Sequence, residues 1–242
     1  MMPRIHPSKF DVFSSEVQDN LNGFVGWWPL SDGTLTDWSG NGRDGALVST
    51  PTFVDGVLAG TALKTTASAY FTTPPPAMMG VNGAGDFSIA AWLFWPSTAT
   101  ASTIPIYTGP AGPYLSASST HHPTVGVAGG SLNITGSAIA TDVWHHFGIT
   151  RIAGVAALYV DGLNGGQAAM ANSFAFAATP SFGDAGFTVQ DARMYSRGLT
   201  PEEMFALYSD GIKTGLGQTE GEWPMGPTVA VIRSGAFLPL LM

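Results

Sequence analysis

Residues 142–166 read DVWHHFGITRIAGVAALYVDGLNGG. Phe147 and Ile149 alternate with Gly148 and Thr150, and Leu158 and Val160 alternate with Tyr159 and Asp161. A period of two marks a strand with one apolar face. Ala153-Gly154 breaks the run into the two arms of a β-hairpin. Asp161-Gly162 makes the next tight turn, where positive φ is needed and glycine adopts it without steric cost. A two-stranded hairpin is not stable alone in water. The rest of the chain must therefore supply an opposing sheet over Phe147, Ile149, Leu158 and Val160.

Working outward, residues 86–95 (DFSIAAWLFW) are apolar on both faces, with Ile89 and Leu93 on the face expected to join the core. A strand of that kind lies deep in a sandwich or under a partner. Residues 24–30 (FVGWWPL) read as a strand ended by Pro29. Shorter strands are expected at 62–64, 69–71, 104–107, 114–117, 124–127 and 132–135, and a last one at 186–195. Phe174, Phe176 and Phe182 line the segments before that last strand. Thr200-Pro201-Glu202-Glu203 then reads as a helix start, with an N-cap Thr, Pro at the first helical position and Glu three residues after the cap. Met204, Leu207 and Tyr208 follow at helical spacing, and Gly211 is expected to close the helix.

Composition agrees with an all-β chain. Among 242 residues there are 31 Gly and 17 Pro, only 11% are charged, and 45% are hydrophobic. That predicts many turns, a weakly charged surface and an ample core. The net charge of −8 with only 9 Lys+Arg argues against a nucleic-acid partner. With Cys at 0, disulfides and thiolate metal sites are excluded. The first residues, MMPRIHPSKFDVFSSEV, hold no apolar run that reads as a signal peptide, and no stretch is long enough for a membrane span. Asn133-Ile134-Thr135 is a glycosylation sequon, meaningful only in a eukaryotic secretory setting.

Residues 31–47 (SDGTLTDWSGNGRDGAL) form a compact polar loop. One reading is turn chemistry, in which Asx side chains close turns on their own backbone. The other is a Ca²⁺ site, because closely spaced hard oxygens are what that ion takes. The EF-hand spacing is absent.

The blocks GWWPL (26–30), DWSGNG (37–42), FSIAAW (87–92), WHHF (144–147), LYVDG (158–162) and DARMYSRGL (191–199) stand in this order. Together they resemble the laminin-G-like, concanavalin A-like lectin/glucanase superfamily over about residues 24–211. The resemblance implies an all-β, two-sheet antiparallel jelly-roll sandwich with one short C-terminal helix. The organisation it suggests is an N-terminal arm at 1–22, the jelly-roll domain at 23–211, and a linker with an apolar tail at 212–242. Many relatives bind one Ca²⁺. Carried over by position, Asp37, Asn41 and Asp191 would hold it, although Gln190 stands where the family commonly has a second acid.

Glycan cleavage in this superfamily implies two carboxylates flanking one bond, usually in an E-x-D-x-x-E run. No such run exists, and Glu16, Glu202, Glu203, Glu220 and Glu222 are the only Glu residues. His145 and His146 are adjacent on a strand and point to opposite faces. The expectation is therefore no enzyme, and two binding roles remain. One is a lectin-like adhesion module, extracellular or on a cell surface. Exposed aromatics stack on sugars there, with Trp27, Trp38, Trp92, Trp95 and Tyr114 as candidates and Trp38, Trp95 and Tyr114 preferred. The other is a structural module of a multi-subunit particle, most concretely a capsid decoration or tail component of a tailed-phage virion. It would contact other copies of itself and other subunits through Val229, Val231, Ile232, Phe237, Leu238, Leu240 and Leu241, an apolar run guarded by Arg233 alone. This second role is favoured, and surface glycans are compatible with both.

Overall fold

The computed structural model describes residues 23–74, 85–100, 102–109, 112–127, 132–170 and 179–215. The proposed arm, the apolar tail from residue 216 with its seven assembly residues, and Phe174 and Phe176 lie outside the described residues. The strands run, in chain order, β1 (Phe24–Trp28), β2 (Ala46–Val48), β3 (Thr52–Asp55), β4 (Thr61–Lys64), β5 (Tyr70–Thr72), β6 (Phe87–Trp95), β7 (Ile106–Tyr107), β8 (Pro113–Ala117), β9 (Pro123–Val127), β10 (Asn133–Thr135), β11 (Val143–Ile152), β12 (Val155–Val160), β13 (Leu163–Ala169), β14 (Ser181–Phe182) and β15 (Thr188–Tyr195). One helix, α1 (Pro201–Gly215), follows them.

These strands build two antiparallel sheets. An eight-stranded sheet runs β13-β12-β11-β6-β15-β4-β3, with β1 also paired to β15. A seven-stranded sheet runs β10-β9-β8-β7-β14-β5-β2. The hairpin of residues 142–166 is β11 with β12, in register from Phe147↔Val160 to Ile152↔Val155. Its turn places Ala153 and Gly154 at φ 47° and 81°, and the next turn places Asp161 and Gly162 at 52° and 75°. Both pairs of positive φ match the twist that two-residue hairpin turns need. Asp161 secures its turn: Oδ1 accepts from His146 N at 2.9 Å, and Oδ2 lies 2.7 Å from His145 Nδ1.

The alternation expected from the sequence separates inside from outside. Phe147, Ile149, Leu158, Ile89 and Leu93 are fully buried between the sheets, while Val160 is half-buried at the core's edge. On the outer face of the eight-stranded sheet, Ala90, Ala157, Tyr159 and Tyr195 pack against Met204 and Leu207 of α1. The apolar outer face of β6 is thus covered by this chain's own helix. Gly148 lets that helix in close, because a Cβ there would run into the Met204 side chain.

The helix begins as expected: Glu203 N donates to Thr200 Oγ1 at 3.3 Å and Thr200 N to Glu203 Oε2 at 2.8 Å, a reciprocal capping box. Its end differs from expectation. The helix continues through Gly211 to Gly215. A Cβ at Gly211 would lie 2.6 Å from Trp92 Nε1, so this glycine serves close packing on the sheet, not termination. Strands β2, β3, β13 and β14 had no clear period-two signal; three of them have four residues or fewer, and β13 is rich in Gly and Ala.

Candidate functional site

The loop between β1 and β2 is folded back on β1 by its own side chains. Asp37 Oδ1 accepts from Trp27 N at 3.0 Å and Ser39 N at 2.9 Å. Its Oδ2 accepts from Ser39 Oγ and Arg43 N, both at 2.9 Å. Asn41 Nδ2 donates to Phe24 O at 3.1 Å and Val25 O at 3.3 Å. Asp191 sits across β1, on a bulge of β15 where the register with β6 shifts, at φ 53°. Its Oδ1 accepts from Trp27 Nε1 at 2.6 Å and Arg193 Nε at 3.0 Å, and its Oδ2 lies 2.8 Å from Arg193 Nη2. The Arg193 guanidinium is also 4.9 Å from the Trp27 ring centroid, over its face. Burial opposes the charge on Arg193, but Asp191 and, after it, Tyr195 together outweigh that and raise the guanidinium's pKa.

Trp27 is therefore the tie between Asp37 and Asp191, through its main-chain and indole N–H groups respectively. This donor arrangement does not fit a calcium ion. The ion needs carboxylate oxygens turned towards it at about 2.3–2.6 Å. Here both oxygens of Asp37 are taken up by N–H and O–H donors, and Asp191 already faces a cation. Among the described residues, no three His, Cys, Asp or Glu side chains are grouped to hold a metal ion. Gln190, at the position expected to be acidic, bridges β15 to the loop before β4: Oε1 accepts from Leu58 N at 2.9 Å and Nε2 donates to Thr61 O at 2.9 Å.

The aromatic candidates separate sharply. Trp95 is fully buried, with Phe147 and Phe187 both at 5.1 Å between ring centroids, so it is a core residue and offers no sugar platform. Trp27 and Trp92 are also buried. Trp38 is half-buried and stands edge-on to Trp27 at 5.9 Å. Tyr114 is half-buried on the outer face of the seven-stranded sheet. Its ring lies across β9, where a Cβ on Gly126 would fall 2.5 Å from the hydroxyl and 2.6 Å from Cζ.

That outer face carries the remaining chemistry. Its register forms one transverse row through Asn133, Gly126, Tyr114, Tyr107, Ser181 and Thr72, ending on the edge strand β2. Tyr107, Ser181 and Thr72 are half-buried and Asn133 is exposed. The described helix lies on the opposite sheet. None of the seven strands contains Asp, Glu, Lys or Arg. Sequence reading identified Tyr114 but missed Tyr107, whose alternation with buried Ile106 is a two-residue signal. It also missed Gly126, for which only the cross-strand register supplies a reason.

Comparison with known proteins agrees with this architecture. No match was found among curated protein sequences. Domain 4 of AbnA, an extracellular arabinanase from Geobacillus stearothermophilus solved with arabinotriose, is 18% identical with a TM-score of 0.61, over 76% of this chain and 98% of that one. The binding domain of Paraclostridial Mosquitocidal Protein 1 is 14% identical with a TM-score of 0.68, over 78% of this chain and 52% of that one. The botulinum neurotoxin serotype D ligand binding domain, solved with N-acetylneuraminic acid, is 15% identical with a TM-score of 0.67, over 81% of this chain and 53% of that one. The chain thus spans about half the length of the toxin binding domains. At these identities the likeness establishes the fold. The family model described as Concanavalin A-like lectin/glucanases superfamily matches residues 65–205, from the end of β4 into α1. With more than half the chain matched, and a two-sheet antiparallel sandwich observed, the protein belongs to the concanavalin A-like lectin/glucanases superfamily.

Proposed function

We propose that this protein is a non-catalytic carbohydrate-binding module, and that sugars dock on the outer face of its seven-stranded sheet. The observation that carries the reading is the Tyr114 ring laid over Gly126 on an uncharged, hydroxyl-rich sheet face. A flat aromatic ring takes the C–H face of a sugar, and neighbouring Thr, Ser and Asn groups take its hydroxyls. No carboxylate in those strands is placed to protonate a glycosidic oxygen, so this face would hold a glycan without cleaving it. Support also comes from the neighbours, whose ligands include arabinotriose and N-acetylneuraminic acid. A glycan array followed by titration calorimetry tests the reading. Tyr114→Ala is expected to weaken the best ligand at least about tenfold, and unchanged affinity would overturn it.

The setting we propose is a multi-subunit particle, most concretely a tailed-phage virion, with the module as a decoration or tail component. Its support is in the sequence: the run from Val229 to Leu241 is apolar apart from Arg233, Ser234 and small or turn residues, and burial against another subunit would protect it from aggregation. Deleting residues 225–242 should leave a folded sandwich that no longer enters its oligomer. Undiminished assembly of the truncated chain would remove the tail as connector.

A further inference from the structure

The carbohydrate-binding face has a shape and a charge that narrow its ligand. The row from Asn133 to β2 skips no strand of the seven-stranded sheet, so it is about 29 Å long at about 4.8 Å per strand step. A single sugar covers only a fraction of that length. Near the row's centre, Tyr114 and Tyr107 are direct cross-strand partners. Side chains so paired are neighbours on one face; the Tyr114 ring leans over Gly126 on the far side of β8, so the two rings offer successive aromatic positions along the row. Beside them runs a second line of hydroxyls: Ser116 Oγ donates to Thr124 O at 3.4 Å, and the Thr124 and Thr135 hydroxyls are 3.4 Å apart. Hydroxyl groups both donate and accept, which matches the mixed hydrogen-bonding needs of sugar hydroxyls.

The absence of charge is equally informative. A carboxylate or sulfate brought against this sheet would lose water and find no Lys or Arg within the seven strands to replace it. The chain's net charge of −8 adds repulsion at longer range. Resting on the carbohydrate-binding reading, we propose that the ligand is an extended, uncharged polysaccharide lying across the strands. Tyr114 and Tyr107 form adjacent stacking positions, and acidic glycans are discriminated against. Contact is spread along the chain, so affinity grows with each sugar added until the row is filled.

The test uses titration calorimetry on the full chain with two sets of oligosaccharides, each from disaccharide to hexasaccharide. The neutral set derives from β-glucan, xylan and galactan; the acidic set comprises oligosialate, oligogalacturonate and hyaluronan fragments. Wild type, Tyr114→Ala and Tyr107→Ala are compared, with folding checked by circular dichroism. The expected result is that a neutral series binds, gains at least about tenfold in affinity from disaccharide to hexasaccharide, and loses about tenfold in either variant. Tighter binding of the acidic set, affinity independent of length, or an unaffected Tyr107→Ala variant would overturn this inference while leaving sugar binding at Tyr114 intact. Failure of every glycan to bind, or an unaffected Tyr114→Ala variant, would overturn the carbohydrate-binding reading and this inference with it.

Discussion

The ring of Tyr114 reaches across β9 because residue 126 has no side chain: a methyl group there would sit 2.5 Å from the tyrosine hydroxyl. Gly126 is thus the floor on which the aromatic platform rests. Gly126→Ala is expected to lift the ring and weaken glycan binding about as much as Tyr114→Ala, on the order of tenfold. Its effect on folding should stay within about 1 kcal/mol, because alanine is intrinsically better than glycine in a strand and the displaced group is a surface side chain. Calorimetry and thermal melts on the same variant separate the two effects. Retained affinity would mean that the ring does not depend on Gly126 for its position.

Ile149 is fully buried, with Ile89 of β6 on one side and Leu158 of β12 on the other. Ile149→Ala removes packed methyl groups where rigid strands cannot close the gap. Urea unfolding should report a loss of about 2–5 kcal/mol. A loss near zero would place the residue outside the core.

Asp37 gathers four donors, and Trp27 N is a buried one. Asp37→Ala strands that N–H and frees the loop from β1, with an expected cost on the order of 3 kcal/mol. Because protein donors already occupy this carboxylate, EDTA should leave the wild-type melting temperature unchanged. A rise in melting temperature on adding Ca²⁺ would show that the ion recruits the loop after all.

His146 lies beneath α1, beside Trp92 and Tyr208 at 5.5 and 6.3 Å between ring centroids, and its Nδ1 has no hydrogen-bond partner among the described residues. Burial lowers its pKa to about 4, against the opposing pull of Asp191. The unfolded chain takes up this proton near its ordinary value of 6.5 and the folded chain does not. Stability from this group is therefore complete above about pH 6.5 and is lost as pH falls towards 4, by an amount on the order of 3 kcal/mol. Chemical denaturation across that range should show the loss in wild type and a smaller one in His146→Phe. Equal slopes would assign the acid sensitivity to other groups.

The physics of single segments was legible in the sequence. Alternation about Ile149 and Leu158 marks which side chains face inward, since successive residues of a strand point to opposite faces. Asp161-Gly162 marks a turn by its tolerance of positive φ, and Thr200 with Glu203 marks a helix start, because both are satisfied within a few residues. The absence of catalytic carboxylate spacing and the sparse charge were also plain from composition. Tertiary structure alone decided the rest. Trp95 and Tyr114 looked equally suited to stack on a sugar, yet one lies between Phe147 and Phe187 and the other on the outer face of the seven-stranded sheet. Asp37 and Asp191 looked like ligands for one ion, yet Trp27 and Arg193 take up their oxygens. Gly211 looked like a stop, yet its place is against Trp92. Each of these outcomes depends on which strand or helix lies alongside, and such neighbours come from contacts between segments far apart in the chain. The row through Gly126, Tyr114, Tyr107 and Ser181 exists only once those strands are in register. Local periodicity assigns a side chain to a face, whereas long-range pairing determines what that face meets.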